Sequence, residues 1–132
     1  MILHTVNTSP TQSNSLISCL RVAATNSSIL LFEDGVYGAI DNIQTMNIWK
    51  NIPTNTLINN AINNDKENQV EASPLQYTTD KNSPLISVNC FVLKEDLEAR
   101  GLTQKVIEFF TVVDYDGFVD LSLEHHTVQS WF

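Results

Sequence analysis

Ile29-Leu30-Leu31-Phe32 is a continuous apolar run that stops at Glu33-Asp34-Gly35. Strict alternation would mark a strand with one wet face. An unbroken run bounded by turn formers instead suits a strand buried on both faces, as in a parallel sheet covered by helices. The flanking sequence agrees. Ile2 to Val6 reads as a short first strand, followed by the turn formers Asn7-Thr8-Ser9-Pro10. Ser13 or Asn14 can cap a helix whose apolar positions, Leu16, Ile17, Leu20, Ala23 and Ala24, form one stripe that Asn26-Ser27-Ser28 closes. Val36 to Ile40 begins a further helical turn.

Leu85 to Leu93 predicts a strong strand, Lys94 to Arg100 a short helix stopped by Gly101, and Phe109 to Val113 another strand. A helix capped by Asp114 or Asp116 follows, ending at His125-His126, and Val128 to Phe132 reads as an amphipathic tail. Strands alternating with helices across short connections imply βαβ units. The expected fold is therefore α/β: one small domain over residues 1–132, with a central, mainly parallel sheet of about four or five strands flanked by helices. Residues 43–84 interrupt this pattern as an Asn-rich insertion, expected to be partly disordered. Ile48, Trp49, Leu57, Ile58 and Ile62 leave room for short helical pieces there, whereas 63–83 holds little that could offset the entropy of ordering.

A net charge of -8 argues against a nucleic-acid surface, because phosphate binding needs clustered Lys and Arg, and the seven present are scattered. No apolar run reaches the roughly 18 residues of a membrane span, and no basic stretch precedes the apolar start, so no signal peptide is expected. The expected compartment is the cytoplasm, with Cys19 and Cys90 reduced rather than paired.

Few residues could carry chemistry. Cys19 lies on the first helix, either as a small core side chain or as a thiol that accepts sulfane sulfur; the latter needs an accessible thiolate. Cys90, inside a strand, reads as core. Adjacent His125 and His126 diverge on a helix and suit contact with terminal carbonyls better than metal ligation. His4 stands at a strand start and Asp34 at a strand end, near where α/β ligand sites form, but a structural histidine and a capping carboxylate are the favoured readings. No Walker loop, GxGxxG, GxSxG, HExxH or CxxC occurs, so no cofactor or metal is expected. Val128 to Phe132, which ends in the aromatic pair Trp131-Phe132, reads as a docking element against the domain or a neighbour.

An ordered set of short stretches resembles the DsrH/TusB family of sulfur-relay subunits. It comprises Leu3-His4-Thr5-Val6-Asn7 with Ser9-Pro10, Ser18-Cys19-Leu20-Arg21, and Leu30 through Ala39. It continues with Asp96-Leu97, Ala99-Arg100-Gly101-Leu102, Val112 through Tyr115, Gly117 through Leu121, and Val128-Gln129-Ser130-Trp131. The likeness spans about residues 1–42 and 85–132; the Asn-rich middle departs from it. The resemblance implies a DsrE/F/H-like fold and a heterohexamer with DsrE/TusD-like and DsrF/TusC-like partners, and allows a DsrC/TusE-like carrier to act through the complex. It implies persulfide relay toward 2-thiouridine at the tRNA wobble position or, in another branch, dissimilatory sulfur oxidation. The principal sulfur carrier then belongs to a partner, Cys19 is an auxiliary sulfur acceptor, and Trp131 and Phe132 are interface residues. A stand-alone small-ligand module using His4 and Asp34 is the third reading. Self-association in the absence of partners is left open.

Overall fold

The computed structural model describes residues 1–50 and 88–132. The expectations for 63–83 and for the start of the strand at Leu85 to Ser87 lie outside them. Five strands form one wholly parallel sheet: β1 (Ile2–Val6), β2 (Ser28–Leu31), β3 (Asn89–Leu93), β4 (Thr111–Val113) and β5 (Thr127–Trp131). Their order is β4-β3-β2-β1-β5. Successive strands step outward from β1 in one direction until β5 returns to its free side. The direction of growth therefore reverses between β1 and β5, the place where open α/β sheets leave a crevice.

Helices α1 (Ser15–Val22), α2 (Ile43–Lys50), α3 (Lys94–Ala99) and α4 (Tyr115–Glu124), with a 3-10 segment at Glu33–Ala39, link the strands. The pleat sorts the apolar run as expected. Leu30 joins Leu3, Phe91 and Val113 beneath Leu121 and Phe118 of α4. Ile29 and Leu31 turn to the opposite face with Val6, Cys90 and Val92, where Leu16, Cys19 and Leu20 of α1 and Leu97 of α3 cover them. Among the described residues, no helix is long and apolar enough to cross a membrane.

Local chemistry explains most boundaries. The Asp114 carboxylate accepts the Gly117 N–H at 2.9 Å and caps α4. At α1 the Asn14 side chain makes no cap, while the Ser13 hydroxyl accepts the Ser15 N–H at 3.2 Å. Asn26 takes φ 69, which turns the chain from α1 into β2.

Two details differ from the sequence reading, and a third fills the room it left for a short helix around Ile48 and Trp49. Phe109 and Phe110 lie outside β4: the Phe110 N–H bonds back to the Ile107 carbonyl, and both rings turn onto Trp49. Residues 128–131 are not a tail but most of an edge strand, in register with β1 from Ile2↔Thr127 to Val6↔Trp131. The first eight residues of the Asn-rich stretch form α2, whose Trp49 is fully buried and donates its indole N–H to the Gly38 carbonyl at 2.9 Å.

Candidate functional site

The carboxyl end of the sheet carries a network of polar contacts. Leaving β2, Glu33 adopts φ 48, a left-handed conformation uncommon for a side chain with a Cβ. Its N–H donates to Asp96 of α3 at 2.6 Å, and its carboxylate accepts from the Asn7 amide at 3.1 Å. Arg100 donates through Nε and Nη2 to Asp34 at 3.1 and 2.8 Å and through Nη1 to the Asp96 carbonyl at 3.2 Å. The hydrogen bond to Asp34 pushes the guanidinium pKa still higher. All these groups are partly exposed, so the ion pair contributes at most about 1 kcal/mol. Its function is to hold the β2 exit against α3.

Beside this network lies an open cleft of about 730 Å³, lined in part by Ser9, Thr11, Gln12, Asp34, Tyr37 and Thr45. The size suits a small ligand. Among the described residues, the lining is hydroxyl- and amide-rich, includes no His, Cys or Lys, and has one carboxylate, Asp34, which is occupied by Arg100. These described residues offer hydrogen bonds but no paired acid and base. Asp34 lines this cleft and His4 does not, so the structure does not bring the two together there.

His4 lies in the middle of β1, buried, where its Nδ1 accepts the Trp131 indole N–H at 3.2 Å. The neutral ring must then carry its proton on Nε2, which is buried without a partner. Burial lowers the His4 pKa below the usual imidazole value. Protonation therefore favours the unfolded chain. The stabilisation from this group is complete above the ordinary range near pH 6.5 and is lost as pH falls through it. The urea midpoint should be lower at pH 5.5 than at pH 7.5, and His4→Gln should shrink that difference; an unchanged difference would dismiss the assignment.

His125 terminates α4. Its Nδ1–H donates to the Leu121 carbonyl at 2.7 Å, and its Nε2 lies within hydrogen-bond distance, 2.9 Å, of the Ser28 hydroxyl. The expected contact with terminal carbonyls is present for His125, while His126 is exposed. Among the described residues, no three metal-ligating side chains converge.

Cys19 is completely buried between α1 and the sheet, and desolvation pushes its thiol up to about 12. Cys90 lies on the same face, its thiol also pushed up to about 12. Both are free and protonated at neutral pH in this arrangement. Sulfur transfer through Cys19 would require α1 to lift from the sheet. Neither thiol should react with an aromatic disulfide reagent in the native protein, and both should titrate as urea unfolds it; immediate labelling of one equivalent would show that α1 opens readily.

Of the two terminal aromatics, Trp131 is half-buried and bonded to His4, whereas Phe132 is 84% exposed. The Arg100–Asp34, His125–Ser28 and Trp131–His4 contacts were not anticipated. Asp96–Arg100 and Lys94–Glu98, each at i,i+4, left a local trace in the sequence.

The family model described as "DsrH like protein" matches residues 8–67 and 57–128. Protein TusB of Erwinia tasmaniensis is 30% identical over 130 residues, covering 98% of this chain and 100% of that protein. Protein TusB of Yersinia pestis is 28% identical and that of Serratia proteamaculans 27%, each with the same coverage. The crystal structure of the ychN protein from E. coli shares the fold, with a TM-score of 0.59 at 16% identity over 98% of this chain and 97% of that one.

Proposed function

The chain belongs to the DsrH-like family, and from that premise we propose that it is an auxiliary, non-catalytic subunit of a cytoplasmic persulfide-relay complex that feeds 2-thiolation of the tRNA wobble uridine. The observation that carries this reading is the end-to-end similarity to proteins named TusB. The burial of both thiols supports the auxiliary role, because a persulfide carrier needs an accessible thiolate. The reacting sulfur then travels on a companion chain of DsrE/TusD type. A DsrF/TusC-like chain completes the assembly, and a DsrC/TusE-like carrier takes the sulfur onward. Phe132 is available for contact with a companion.

Co-expression of the three chains tests the proposal. A stable assembly containing this chain is expected, and wobble-uridine thiolation should fall when its gene is deleted and return with a Cys19→Ser copy. Failure to co-purify would overturn it. Loss of sulfur flux with Cys19→Ser in an intact complex would favour the second reading, a DsrH-type subunit in sulfur oxidation whose Cys19 is a sulfurtransferase thiol. The family model's DsrH description supports that branch as well.

A further inference from the structure

Helix α4 turns Phe118 and Leu121 to the sheet and leaves an apolar stripe facing outward. Tyr115, Val119 and Leu123 are 55%, 57% and 78% exposed. Their i,i+4,i+8 spacing places them in one row about 12 Å long. Asp116, Asp120 and Glu124, also exposed, follow the same spacing one position on and form a parallel acidic row. Nothing nearby in sequence balances it. Residues 106–132 contain Glu108, Asp114, Asp116, Asp120 and Glu124 and no Lys or Arg.

We propose that this face of α4 docks a protein chain of different sequence, one that presents an apolar groove bordered by Lys or Arg. Exposed rows of large apolar side chains carry an aggregation liability unless a partner covers them. The charge selects which partner. A second copy packing its α4 antiparallel through a two-fold axis would set its acidic row beside an identical one. A basic-rimmed partner converts the same row into attraction and faster encounter. The identity of that partner as a companion subunit of the relay complex rests on the family reading above.

The test is co-expression with the DsrE/TusD-like and DsrF/TusC-like chains of the same genome, followed by native mass spectrometry. The wild-type chain is expected to assemble. Val119→Glu with Leu123→Glu should weaken assembly by on the order of tenfold or more, since central apolar contacts dominate interfaces. The isolated double variant should keep its circular dichroism spectrum and melting temperature, because both side chains face solvent. Asp116→Lys with Asp120→Lys and Glu124→Lys should also weaken assembly and remove its sensitivity to salt. Equal assembly of the apolar variant would overturn the proposed face while leaving the subunit reading intact. An isolated wild-type dimer abolished by Leu123→Glu would make a second copy the occupant and overturn it too. A wild-type chain that fails to assemble would overturn the subunit reading, and this proposal with it.

Discussion

Gly35→Ala is expected to lower stability by about 3 kcal/mol or more, or to prevent folding, because its methyl group has nowhere to go. A Cβ at Gly35 would stand 2.1 Å from the Val6 carbonyl oxygen, 2.9 Å from its carbon and 3.3 Å from the Asn7 Cα. These are backbone atoms of β1 and its exit, so no rotamer change relieves the overlap. The Val6 oxygen is also the acceptor for the Phe32 N–H at 3.1 Å, and displacing it would disturb the β1–β2 junction. Gly101→Ala is the control. Gly101 has φ 67 with open space around it, so the cost there is backbone strain of only about 1–2 kcal/mol. Thermal unfolding of both variants decides the matter; a Gly35→Ala melting temperature equal to that of Gly101→Ala would refute the packing argument.

Trp49→Ala should cost about 3–5 kcal/mol. The indole is fully buried and meets Phe109 and Phe110 edge-on, each at a centroid distance of 5.3 Å. Removing it leaves a cavity between α2 and the segment before β4, and it deprives the Gly38 carbonyl of its donor. Trp49→Phe should recover most of the loss, since the hydrogen bond alone contributes about 1 kcal/mol. Urea unfolding of the pair would measure the difference. A loss below about 1 kcal/mol for Trp49→Ala would mean that α2 rests on the domain without stabilising it.

The alternating architecture was legible because period and punctuation are local. The apolar run from Ile29 suited a doubly buried strand, which ends at Leu31, and of the two acidic residues that could open α4, Asp114 is the cap. β5 was misread because isolated Val128 to Trp131 looks like any short amphipathic segment. Its partner is β1, and the Thr5–Ser130 contact spans 125 residues, a separation that no window of local pattern contains. α2 was only half visible for a related reason: one Trp, anchored by rings more than fifty residues away, outweighs the Asn-rich composition around it. Cys19 shows the same limit. Helical spacing placed it beside the core stripe, but whether its sulfur met water depended on the sheet opposite. The exposed row on α4 was present in the sequence as Tyr115, Val119 and Leu123; it became informative only once Phe118 and Leu121 were known to face inward.

The β1–β5 pairing also sets an order of events. Among the described strands β1 leaves the ribosome first and β5 last, so one side of β1 stays open until the other described strands have been made. Closing that loop costs about 4 kcal/mol in chain entropy on the logarithmic scaling, a debt the final strand must recover from its own ladder and from Trp131 settling over His4. Long-range parallel pairing of this kind is slow. During that interval the chain exposes a hydrophobic strand edge, and the nascent protein is then most vulnerable to mispairing with its neighbours.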